Sequence, residues 1–129
     1  MTRAFDINVA SGQVVDAAMR VHTVLGPGLL ESAYEACLVH ELTKRGLQVK
    51  SQVKMPVIYD GTRVELAYRI DLLVEDAIIV ELKAVSKLMA IHEAQLLSQL
   101  KLGKYKVGLL INFHELHLKN GIKRLANGL

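Results

Sequence analysis

The chain has one cysteine, no tryptophan and only two prolines in 129 residues. Cys37 alone makes no intrachain disulfide and builds no zinc or iron–sulfur site, and its place in a helical apolar pattern suits a buried thiol. Aromatic residues are 5% of the chain, which leaves little stacking surface and favours backbone contact over base-by-base reading of a single strand, should the partner be a nucleic acid. No apolar run is long enough to span a bilayer, and "MTRAFDINVA" lacks the basic-then-apolar pattern of a secretion signal, so a cytoplasmic protein with no membrane partner is expected. Gly26-Pro27-Gly28 lacks the Lys and Ser/Thr of a phosphate loop, and no Ser–His–Asp or Cys–His arrangement is evident. His114 and His117, spaced by three on what reads as a strand, would face opposite ways and make poor partners for one metal. Acidic residues are scarce near the C-terminus, where Lys101, Lys104, Lys106, Lys119, Lys123 and Arg124 are set against Glu115 alone. Such a basic end suits phosphates, although the net charge is only +3.

With 51% hydrophobic and 22% charged residues, the chain can bury one real core, and a single domain over residues 1–129 is expected. Val14, Val15, Ala18, Val21 and Leu25 recur at helical spacing between about 8 and 24, and Gly26-Pro27-Gly28 breaks the pattern. A second helix runs from Leu29 to about Arg45 on Leu30, Ala33, Tyr34, Cys37, Leu38 and Leu42, with Gly46 as its stop. "LQVKSQVKMPVIY", "TRVELAYRIDLLV" and "AIIVELKAV" read as three strands in a meander, separated by turns at Asp60-Gly61 and Glu75-Asp76. "AIHEAQLLSQLKL" returns to helical spacing, and "KVGLLINF" reads as a strand hidden on both faces. "ELHLKNGIKRL", with Asn120-Gly121 as its turn, predicts a short closing hairpin. The expectation is an α/β fold in the order α-α-β-β-β-α-β plus that hairpin.

Within "RIDLLVEDAIIVELKAV", Asp71, Glu81 and Lys83 occupy strands otherwise suited to a core. If the connecting loop is Glu75 to Ala77, Val74 pairs with Ile78, Asp71 falls opposite Glu81, and Lys83 follows on the same face. That register is expected to leave Ile70, Leu72, Ile79 and Leu82 together on the other side, whereas a loop one residue shorter would separate the two acids. Adjacent carboxylates repel, and an unpaired charge in a partly dry sheet costs several kcal/mol, about 3–5 where one partner of a buried pair is missing. Two arrangements offset this cost. Lys83 and Arg69 can neutralise the acids in an ordinary cross-strand cluster, or a hard divalent cation can bind through the carboxylates and hold a phosphate as well.

The pattern Asp71, then Glu81-Leu82-Lys83 resembles the metal-binding core of the PD-(D/E)xK nuclease superfamily. "GLLESAY", residues 28–34, is similar to the GxxExxY signature of a small bacterial family assigned to that superfamily, and the resemblance runs from about residue 14 to 125. It implies a restriction-endonuclease-like core, a mixed central sheet flanked by helices. It implies a metal-dependent nuclease in which Asp71 and Glu81, assisted by the Leu82 carbonyl, ligate Mg2+ or Mn2+. Glu31 would point into the same site, Lys83 would activate water and steady the phosphate, and Gln95 would lie near the metal. The aromatic residue that usually follows four positions later is Gln99 here, which leaves a stacking role there without support. The implied partner is nucleic acid, DNA ahead of RNA, and a homodimer is compatible with so small a chain. A catalytically weak nucleic-acid-binding or partner-binding domain of the same fold, or an accessory subunit of a larger complex, is the alternative.

The residues also have plainer readings. Glu31 near a helix start favours the dipole, and Tyr34 one turn later suits a core. His92, Gln95 and Gln99 form the polar stripe of a solvated helix face.

Overall fold

The computed structural model describes residues 5–128, apart from the side chain of Leu66, so both ends of the expected 1–129 domain lie outside the described residues. Helix α1 (Ile7–Leu25) starts on Asp6, whose carboxylate accepts from the backbone N–H groups of Asn8 and Val9 at 2.9 and 3.2 Å. Two of the helix's orphan donors are thereby satisfied. Val14, Ala17, Ala18 and Val21 bury one stripe of the helix. Helix α2 (Glu31–Lys44) buries Tyr34, Leu38 and Leu42 at intervals of four.

The bend between the helices is fastened from inside. Gly26 and Gly28 both have positive φ, 69° and 99°, a backbone that side-chain-bearing residues rarely adopt. The Tyr34 hydroxyl donates to the Gly26 carbonyl at 2.6 Å and accepts from the Leu29 N–H at 3.0 Å, while its ring stacks on Phe113 with centroids 4.5 Å apart. The first turn of α2 is thus tied to the bend and to the residue that follows the fourth strand.

Strands β1 (Val49–Tyr59), β2 (Thr62–Val74) and β3 (Ile78–Lys83) form an antiparallel meander. Helix α3 (Ala90–Gly103) then crosses to β4 (Val107–Asn112), which lies parallel to β3 and is buried along its whole length. The sheet is mixed, in the order β1-β2-β3-β4-β5, with β5 formed by Ile122–Ala126. Helices α1 and α2 cover one face over Leu72, Val74, Ile78, Val80, Leu82, Leu109 and Ile111, and α3 covers the other over Ile70, Leu73, Ile79 and Leu110. Among the described residues, no helix is long and apolar enough to cross a membrane.

Two expectations are corrected. Residues 115–125 do not form a hairpin of their own: Leu118–Gly121 is a 3-10 helix, and β5 (Ile122–Ala126) pairs antiparallel with β4. The free edge of β4 offers a longer ladder than an isolated two-strand ribbon, which is marginal in water. His114 and His117 are therefore off any strand, and both are exposed. Nor do Ile70, Leu72, Ile79 and Leu82 share a side, because Leu72 and Leu82 face α1 and α2 while Ile70 and Ile79 face α3. In β3 this is simple alternation. In β2, Ile70 and Leu73 share a face, so alternation slips by one position around Asp71. The facing residue in β1, Gln52, has φ 54°, outside the strand region. Both strands turn at the same level.

Replacing Tyr34 by Phe keeps the ring stack and leaves the Leu29 N–H and Gly26 carbonyl without their partner. A loss of about 1–3 kcal/mol in urea unfolding is expected; an unchanged midpoint would show that the phenol does not hold the bend.

Candidate metal centre

The β2–β3 loop sets the register. Val74 pairs with Ile78 and Leu72 with Val80, the Ala77 N–H returns to the Val74 carbonyl at 3.0 Å, and Glu75 and Asp76 take positive φ. Asp71 is thus level with Glu81. At that level side chains take the place of the ladder: the Leu82 N–H donates to Asp71 Oδ2 at 2.9 Å, and the Asp71 N–H donates to Glu81 Oε1 at 3.3 Å. Each carboxylate bonds to the backbone of the other strand, and among the described residues Asp71 Oδ1 and Glu81 Oε2 have no backbone partner.

The electrostatics follow from burial. Glu81 is only 8% exposed. Burial, then the Asp71 charge, then a side-chain hydrogen bond with Asp71 push its carboxyl up to about 8, against the pull of the Asp71 N–H and Lys83. Near neutral pH and without a cation, Glu81 therefore favours its protonated form. Glu31 is the first residue of α2. Its side chain is largely exposed, yet its carboxyl is held above the usual range, first by partial burial and then by the Asp71 charge, with Lys83 and the Ala84 N–H pulling the other way. Lys83 thus acts on both glutamates. Glu31, Asp71, Glu81 and Lys83, brought together in this way, come from one helix start and two strands.

The strand exit beyond Lys83 is clamped by a residue the sequence reading did not single out. Asn112 is fully buried at the end of β4. Its Oδ1 accepts from the Val85 N–H at 3.0 Å, its Nδ2 donates to the Val85 carbonyl at 2.8 Å, and the next residue's N–H donates to the Lys83 carbonyl at 2.9 Å. A polar residue at the end of an otherwise apolar strand was the available signal, since a buried amide needs partners. Gln95 lies elsewhere. It is exposed on α3 and lines a cavity of about 400 Å³ with Tyr68, Ile91, Ser98 and Gln99. No hydrogen bond joins it to the four charged residues among those described. The polar stripe of α3 is also less solvated than its spacing suggests, because His92 and Gln99 are half-buried and His92 Nδ1 accepts from the Met89 N–H at 2.9 Å.

The donor set suits a hard divalent cation. Two adjacent carboxylates, one of which favours its protonated form, gain most from a compact charge that displaces that proton. Among the described residues no three His, Cys, Asp or Glu side chains converge closely enough to hold a metal unaided. Such an ion would also use the Leu82 carbonyl, water and a substrate phosphate, as magnesium commonly does.

In comparison with known proteins, residues 8–125 match the family model described as PD-(D/E)XK nuclease superfamily. No curated protein and no solved structure gives a match.

The raised Glu81 carboxyl makes metal-free stability depend on pH. A folded-state value of about 8 against an ordinary 4.5 means that the protonated form contributes stability that is fully present below about 4.5 and is lost as pH rises towards 8. The metal-free melting temperature should fall across that window, and Glu81→Gln should flatten the fall. Affinity for magnesium, read by calorimetry, should rise over the same window. A Glu81→Gln curve parallel to that of the parent would refute the assignment.

Proposed function

Since the chain belongs to the PD-(D/E)XK nuclease superfamily, we propose that it hydrolyses phosphodiester bonds of nucleic acid in a reaction dependent on Mg2+ or Mn2+. The carrying observation is the Asp71–Glu81 pair, a half-buried and a buried carboxylate each bonded to the backbone of the other's strand. A fold with no other use for it would not retain so costly a pair, since replacing buried ionic groups by apolar ones is often neutral or stabilising.

Asp71, Glu81 and the Leu82 carbonyl are the groups proposed to hold the cation, with Glu31 closing the site from the α2 side. Bound there, the ion would lower the pKa of water and compensate charge on the phosphoryl oxygens. Lys83 extends from the strand that carries Glu81, and its ammonium serves as the point charge for a phosphate oxygen. Glu31, already above its usual carboxyl range, is suited to accept a proton from the attacking water. Asn112 and the Phe113 N–H hold the segment leaving Lys83 and fix where the lysine starts. The GxxExxY motif divides its labour: Tyr34 fastens the bend from which Glu31 projects.

Purified protein incubated with labelled single-stranded, duplex and branched DNA and with RNA should cut at least one of them when magnesium or manganese is present, and none in chelator. Asp71→Ala, Glu81→Ala and Lys83→Ala should each lower the rate by about 100-fold or more. Variants that cut as well as the parent would place the activity elsewhere, and a parent that binds with steep salt dependence but never cuts would be a binding module instead.

A further inference from the structure

Lys54 and Arg69 are directly opposite each other in the β1–β2 ladder. Both are exposed, and no ion pair engages either among the described residues. Like charges directly opposite destabilise a sheet, so the arrangement costs stability that a single substitution would recover. The face they occupy follows from their neighbours. Val53 and Met55 flank Lys54, Tyr68 and Ile70 flank Arg69, and all four pack on the α3 side. The two cations therefore point to the opposite face, where the Glu31 helix start lies. Two residues further along β2 is Asp71, about 7 Å away at the rise of a strand. Gln52 is the corresponding neighbour in β1, and its amide bonds to Glu35 of α2 at 2.5 Å. The slip at Gln52 and Asp71 marks where the covered half of this face gives way to the open half. Beyond it the long hairpin carries the pair into solvent.

We propose that Lys54 and Arg69 form a phosphate clamp that seats the backbone of a nucleic acid strand one step away from the bond held at Asp71 and Glu81. The inference rests on the nuclease reading for the identity of the central site, and it adds a phosphate-binding subsite and an orientation: the bound strand runs outward along the β1–β2 hairpin. An acid pair repels phosphates, and adjacent cations lower that barrier to entry. Arg69 offers a planar fork and Lys54 a point charge, both suited to phosphate oxygens and indifferent to base identity. Tyr59, at the hairpin tip and 74% exposed, lies farther along the same ribbon.

The experiment measures binding of a labelled DNA duplex by fluorescence anisotropy in chelator, where no cutting occurs, across a salt series. Lys54→Ala/Arg69→Ala should weaken binding about tenfold or more and reduce the slope of log K against log salt by about 1.8, since each phosphate contact contributes about 0.9. Arg20→Ala/Lys44→Ala removes the same charge on the α1–α2 side and should change neither quantity. Lys54→Glu separates binding from folding: it places an acid opposite Arg69, so thermal stability should hold or rise while binding falls. With magnesium present, the alanine pair should raise KM and leave kcat largely intact. An unchanged salt slope in the alanine pair overturns the clamp even if the parent cuts nucleic acid and Asp71→Ala does not. Conversely, a parent that never cuts but loses its salt-dependent binding with the pair upholds the clamp and overturns the nuclease reading.

Discussion

The structure turns on the place where β2 and β3 stop pairing as an ordinary ladder and bond through carboxylates instead. Leu82 donates to Asp71, and Asp71 donates to Glu81, so two acids do the work of two peptide carbonyls. The exchange is unfavourable for folding alone, because it brings like charges into a buried site and forces one of them to keep a proton. The surroundings restrain the strands so that this level stays together. Asn112 holds the exit of β3, Glu75 brackets Gln48 with a backbone N–H and a carboxylate oxygen, both at 2.9 Å, and α2 brings its first turn alongside.

Support for that first turn comes from the opposite side of the core. Tyr34 reaches back to Gly26 and Leu29 and rests on Phe113, which directly follows Asn112. The residue that clamps the β3 exit and the ring that supports the Glu31 helix are thus consecutive in one chain segment. The helix start and the strand end are positioned together by the end of β4.

Much of this was legible in the sequence. The helices, the meander and the hidden strand follow from period and from turn residues, and the Glu75–Ala77 loop alone decided that Asp71 is level with Glu81. Other features have no local signature. The slip around Asp71 and Gln52 is a tertiary event in which two strands twist together, and strict alternation therefore put Ile70 with Leu72 incorrectly. The C-terminal segment carries a good hairpin turn at Asn120-Gly121, but the open edge of β4 competed for the same backbone and won. Asn112 could be recognised only by asking what a buried amide bonds to, and the answer lies 27 positions away at Val85. Gln95 matched a pattern, and the fold places its side chain at a cavity beneath the hairpin, away from the carboxylates.

The two ends of β2 carry unequal responsibility. At one end, Glu75 and Asp76 tie the loop to Gln48 and Lys50 and so decide which residues meet at the centre. At the other, the Asp60-Gly61 turn closes a ribbon that already contains a register shift at Pro56. Residues can be gained or lost at that far end in matched pairs without moving Asp71 against Glu81. The distal hairpin is in this sense an adjustable arm on an invariant hinge, free to change its length and the surface it offers while the chemistry at its base stays in place.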